Sequence, residues 1–162
     1  MNYSVENYLQ ELKNNLAKQS DKLIAQFEYL KTLDYAEEVD HLQIISSLGD
    51  EEIGFQLFSM SDLFSEVYAE EDTEGFADSI ELLEEFTFEP YDYNDEFEEF
   101  YEENDLERAA INTLGDWVYE CFLKADGQAI PRTIHFGIHD DSYMLNLHSG
   151  EWFDPDNVGE ED

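Results

Sequence analysis

The sequence predicts an α+β fold: a mainly helical single domain over residues 1–162, with a long N-terminal helix and a C-terminal antiparallel β-hairpin or small sheet. Three observations carry this expectation. Apolar residues recur every three to four positions over residues 5–31 and again from 94 to 122, which places them on one helical face. From 130 to 153 they alternate with polar ones, the period of a strand. The composition, 42% hydrophobic and 15% aromatic, supplies the core that an unfolded chain lacks.

Ser4 is a good N-cap, and Val5, Leu9, Leu12, Leu16, Leu23, Phe27 and Leu30 form the stripe of the first helix, with Ser20 filling a gap. Residues 33–129 are expected to be acidic and mostly helical. Within them, residues 39–60 are ambiguous. Gly49 breaks the run, Ile53, Phe55 and Leu57 alternate as in a strand, and "HLQII" is a candidate to pair with them, but a helix fits either piece nearly as well. Ser61 is then placed to cap "DLFSEVY", with Leu63, Phe64, Val67 and Tyr68 on one face. "FADSIELLEEF" reads as a helix with Phe76, Ile80 and Leu83 inward, and Pro90 stops what precedes it.

After Pro90, Asn94 is suited to cap a helix whose first turn carries Asp95 and Glu96, complementing the helix dipole. Phe97, Phe100, Tyr101 and Asn104 fall on one face and Glu98, Glu99, Glu102 and Glu103 on the other. The stripe continues through Leu106, Ala110, Leu114, Trp117, Val118, Cys121 and Phe122, with a break expected near Asn104. Over residues 130–153, a two-residue turn at Asp140-Asp141 sets Ile138 opposite Tyr143, Phe136 opposite Leu145 and Ile134 opposite Leu147, all on one side. Residues 154–162 read as a frayed acidic tail.

Charge is the most informative feature. The 42 acidic and 7 basic residues give a formal net charge of −35, which costs stability by self-repulsion. Residues 1–32 are neutral, with Lys13, Lys18, Lys22 and Lys31 balancing Glu6, Glu11, Asp21 and Glu28. Between Lys31 and Arg108 stand 27 acids without one Lys or Arg. Adaptation to salt acidifies all exposed surface alike, so it does not account for this asymmetry. Anionic lipid and nucleic acid both repel such a chain. The expected partner is a basic protein, with neither direct nucleic-acid nor membrane binding.

Cys121 is the only cysteine, so no intrachain disulfide is possible, and a reducing cytoplasm is the expected setting. The N-terminal residues lack a basic start and an apolar h-region, so no signal peptide is expected. No apolar run approaches the ~20 residues of a membrane span.

Chemistry-bearing residues have bland readings that outweigh the sharp ones. His135, His139 and His148 share one face of the expected hairpin. The register places His135 diagonal to His148, but His139 lies roughly 13 Å along the strand, so they read as surface histidines. Asp92, Asn94, Glu96 and Glu103 have part of a calcium-loop spacing, but Phe97 stands where the sharp turn needs glycine. Cys121 falls on an apolar helical face and reads as a buried thiol. There is no phosphate-binding glycine loop, no catalytic triad signature and no basic patch. The expectation is a binding protein and not an enzyme, with no metal and no cofactor.

The stretch Phe86–Glu107 holds ten acids and seven aromatics. Rings that anchor and acids that coat make an ordered acidic face, with Glu98/Glu102 and Glu99/Glu103 about 6 Å apart, on the scale of successive phosphates. In composition and charge layout, residues 33–162 resemble the acidic DNA-mimic inhibitors of phages and bacteria, and the immunity proteins that neutralise nuclease toxins. The resemblance implies a protein that blocks the active or nucleic-acid-binding surface of a basic partner such as a nuclease, toxin or DNA-binding protein. The candidate contact residues, taken from the charge pattern, are Asp92, Asp95, Glu98, Glu99, Glu102 and Glu103. Tyr91, Tyr93, Tyr101, Trp152 and Phe153 are the candidate aromatic hot spots. The alternative is an acidic chaperone for cationic nucleic-acid-binding proteins, with a metal-binding protein or an enzyme ranking lower.

Overall fold

A mixed β-sheet lies at the centre of the molecule, which corrects the mainly helical fold with a peripheral hairpin expected from sequence. The computed structural model describes residues 4–48, 52–62, 65–67, 74–88, 94–138 and 143–154. Strands β1 (His41–Leu48), β2 (Glu52–Met60), β3 (Ile80–Thr87), β4 (Thr133–Ile138), β5 (Met144–Asn146) and β6 (Glu151–Phe153) follow the order β3-β2-β1-β4-β5-β6. All neighbours are antiparallel except β1 and β4, which run parallel. Helices α1 (Val5–Ala17), α2 (Ser20–Leu30), α3 (Asp95–Glu103) and α4 (Leu106–Lys124) complete the fold. The chain passes through α3 and α4 between β3 and β4.

The expected long first helix is two helices. Ser4 caps α1 as anticipated, its Oγ accepting from the Asn7 amide at 3.2 Å. The stripe is interrupted where polar Lys18, Gln19 and Ser20 succeed one another, and there the chain turns and restarts. Ser20 earns its place by accepting the Trp117 indole N–H at 2.9 Å, a contact that ties the α1–α2 corner to α4. Leu12, Leu16, Leu23, Phe27 and Leu30 are fully buried. Each contributes about 1.5–3 kcal/mol relative to exposure.

The acidic part is not mostly helical, because it supplies three of the six strands. "HLQII" and "IGFQLF" take the strand alternative: Leu42, Ile44, Ile53, Phe55 and Leu57 are buried on one face of the β1–β2 pair. "IELLEEF" forms β3, not a helix. Its register against β2 shifts twice, at Ile53/Phe55 and Phe55/Gln56. Extra residues let consecutive Leu82 and Leu83 both become buried, which erases the alternation of a regular strand. The Leu82 carbonyl at the irregularity accepts from Gln26 Nε2 of α2 at 2.9 Å. The helix expected after Ser61 is also absent from the described residues there. Val67 N–H donates to the Ser59 carbonyl and Glu66 bridges Met60, so the chain is extended. Leu63, Phe64 and Tyr68 lie outside the described residues.

Residues 94–124 form helices with the break near Asn104. Asp105 there has φ 48°, a left-handed turn that aspartate tolerates. In the C-terminal part, Phe136 opposes Leu145 as the alternation indicates, and the Leu147 amide donates to the Ile134 carbonyl. The hairpin is not free-standing, because β4 is also zipped to β1 along its whole length. The turn residues 139–142 lie outside the described residues, as does the tail beyond Asp154.

One sheet face, bearing Leu42, Ile44, Phe55, Leu57, Ile134, Phe136 and Leu145, packs against the helices. Phe55 meets Trp117 of α4 at 5.6 Å between ring centroids, and Phe27 of α2 meets Phe122 of α4 at 5.6 Å. Three of the seven cations are engaged close by. Lys31 pairs with Glu28 and Lys124 with Glu120, each on its own helix. Arg132 donates to the backbone carbonyls of Val39 and Ala36 and lies over the Tyr35 ring. Acid–acid repulsion is therefore left largely uncompensated, and melting temperature is expected to rise with NaCl. The range to scan is about 0.01 to 0.15 M, over which the screening length shrinks from about 30 Å to about 8 Å. A melting temperature that fell with salt would show that ion pairing outweighs repulsion.

Candidate partner-binding surface

Helix α3 is built as an anchored carrier of carboxylates. Asn94 caps it, Oδ1 accepting from the Phe97 amide at 3.0 Å, and the acids of the first turn face the positive end of the dipole. Phe97 is 2% exposed and stands in an aromatic cluster with Tyr8 of α1 (6.1 Å), Phe100 (6.4 Å) and Tyr101 (5.9 Å). Tyr8 also meets Phe88 edge-on at 5.3 Å. These rings hold the inner side of the helix. Asp95, Glu96, Glu98, Glu99, Glu102 and Glu103 are all exposed on the outer side. None of the six is paired with a cation among the described residues. The helix spans about 14 Å at 1.5 Å per residue, and it positions its acids without a flexible tether.

Of the residues nominated from sequence, Asp95, Glu98, Glu99, Glu102 and Glu103 therefore share one surface. Tyr91, Asp92 and Tyr93 lie outside the described residues. Trp152 does not join that surface. Its indole sits over Gly115 of α4, where an added Cβ would come within 2.6 Å of the ring, so the side chain helps to close the core. Phe153 meets His135 at 4.7 Å and Tyr101 belongs to the cluster beneath α3.

The histidines are redistributed relative to expectation. Asn146 ends β5 with an Asx turn, its Oδ1 accepting from the amides of His148 and Ser149. This fixes His148 just beyond the end of β5. His148 accepts the Ile134 amide through Nδ1 and meets Phe122 at 5.1 Å, and burial lowers its pKa. His139 lies outside the described residues. The neighbour that His135 does have is His41, at 4.6 Å between ring centroids. No local signal announces this contact, because it depends on the parallel β1–β4 pairing. Among the described residues no group of three His, Cys, Asp or Glu side chains is arranged to hold a metal.

No known family model, curated protein or solved structure matches the chain. The surface must therefore be interpreted from its own chemistry.

One concave feature deserves comparison with it. A cleft of about 290 Å³ between α1, the start of α2 and α4 is lined by Lys13, Ser20, Trp117, Cys121 and Lys124 among others. Cys121 at its floor is 2% exposed, and burial pushes its thiol pKa up to about 11. A thiol so held is a poor nucleophile at neutral pH. Asp116 and Glu120 also line the cleft, and Glu120 is ion-paired with Lys124 at 3.1 Å. None of the described helices is long and apolar enough to cross a membrane.

Proposed function

We propose that the protein is an acidic inhibitor, binding a basic partner protein and blocking its nucleic-acid-binding or active surface. The observation that carries this reading is α3, a rigid, aromatic-anchored helix whose outer side is wholly acidic and unpaired among the described residues. Nucleic-acid-binding sites are arrays of Lys and Arg that gain affinity by displacing counterions from phosphates. A preordered row of carboxylates competes for the same array. Anchoring matters because ordering a flexible segment costs about 1–2 kcal/mol per residue, and here the fold has already met that cost.

The placement of the aromatics favours recognition by charge over recognition by aromatic plugs. Trp152 and Tyr101 are half-buried, each packed on interior neighbours, whereas the acids of α3 are exposed. The reading therefore leans to the nucleic-acid-mimic form, in which charge is spread along a face. Affinity capture at about 0.1 M salt, followed by mass spectrometry, tests it. The expected yield is one or a few basic nucleic-acid-binding proteins, released as salt is raised. Recovery of acidic or membrane partners alone would contradict the reading.

A further inference from the structure

Away from α3, on the sheet face opposite the helices, two imidazoles are stacked and largely buried. His41 is the first residue of β1 and is 2% exposed; His135 is the third residue of β4 and is 9% exposed. Their rings lie 4.6 Å apart, tilted by 39°. His41 Nε2 and His135 Nδ1 are each fully buried and have no hydrogen-bond partner among the described residues. Burial without a partner is tolerable for the neutral imidazole nitrogen and expensive once that nitrogen carries a proton and charge.

We propose that the His41–His135 pair is an acid-sensitive latch across the β1–β4 seam, closed while His135 is neutral and opened by its protonation. The seam is the place where such a device has leverage. It is the sole parallel junction among the six strands, and it joins the β1–β3 meander to the β4–β6 meander.

The charged groups around the pair set its response. Asp40 bonds His41 Nδ1 at 3.0 Å through Oδ2, so it is positioned to balance one proton. A second proton finds no such partner among the described residues. From β6, Phe153 covers His135 with an apolar ring, and Glu151 on the same strand is exposed. Arg132, just before β4, is held on the Val39 and Ala36 carbonyls and adds positive charge near the start of the seam. His148 adds to the electrostatic opposition.

Burial first, and then the neighbouring His41, hold the pKa of His135 down at about 4. An unfolded histidine takes up its proton near pH 6.5. From that pH downward the unfolded chain binds a proton that the fold refuses. The latch's contribution is thus complete above about 6.5 and is lost progressively as pH falls toward 4.

The test compares thermal melts of the wild-type chain and His135→Phe at pH 7 and 4.5, at constant ionic strength. Both proteins carry the same carboxylates, so the difference between their pH responses isolates the pair. Between those pH values the folding equilibrium of the wild type should drop by up to about 100-fold relative to the variant, a relative shift of about 8 °C. Equal pH responses would overturn the proposal. If the variant does not fold, imidazole NMR titration of the wild type decides. Retarded protonation that coincides with loss of β1–β4 amide protection supports the latch. His135 protonating near pH 6.5 in an unchanged fold contradicts it.

Discussion

Changing Glu98, Glu99, Glu102 and Glu103 together to lysine should lower affinity for the partner by on the order of 1000-fold while leaving the protein folded. All four are exposed on α3, so no buried contact is removed. The substitution also moves the net charge from −35 toward neutrality, which relieves repulsion in the folded state. At the interface the effect is larger than lost attraction. Like charges now face one another, and such juxtapositions cost several kcal/mol, with each 1.4 kcal/mol a factor of ten. Association should slow most at low salt, where steering is strongest. Circular dichroism and a melt establish folding, and a binding titration at two salt concentrations reads the rest. Full affinity in the quadruple variant would move the interface off α3.

Phe97→Ala is the converse case, in which acidic charge is kept and its scaffold is removed. Phe97 is nearly inaccessible and touches Tyr8, Phe100 and Tyr101, so truncation leaves a cavity that aromatic neighbours fill only in part. The expected cost is about 3–5 kcal/mol, read by urea denaturation. Hydrogen exchange should locate the damage first in α3, since that helix has little else to hold its inner side. Affinity should fall as well, although every carboxylate remains, because the loosened helix must be ordered on binding. Phe97→Leu, which keeps most of the volume, should restore much of both. A loss below about 1 kcal/mol would show that the aromatic cluster does not anchor the helix.

The difference between what the sequence discloses and what it hides follows from the range of the interactions. Residues 94–124 were legible because Asn94, the acids behind it and the Phe97/Phe100/Tyr101 stripe all act within one or two turns. The Phe136–Leu145 register was legible for the same reason: strand alternation on both sides of a short turn leaves few choices. β3 was misread because its irregular pairing with β2 buries Leu82 and Leu83 side by side, and Ile80 and Leu83 then mimic a helical spacing. The splitting of the first helix turns on Ser20, whose role appears only once Trp117 arrives from 97 positions away. The parallel β1–β4 junction has no local signature, so the central sheet and the His41–His135 stack that depends on it were both hidden. For the candidate surface, the outward acids of α3 followed from periodicity. That Trp152 is occupied by Gly115 depended on the tertiary approach of β6 to α4.

The central claim is that α3 occupies a surface that would otherwise hold nucleic acid, and competition measures this directly. The captured partner is immobilised, saturated with the protein, and challenged with duplex DNA and single-stranded RNA of increasing length at fixed salt. Gel shifts run in parallel ask whether the protein itself retains either nucleic acid. The account predicts displacement by the nucleic acid that the partner recognises, and no gel shift by the protein alone. A stable ternary complex of partner, nucleic acid and protein, or a salt-resistant complex of the protein with DNA, would contradict it.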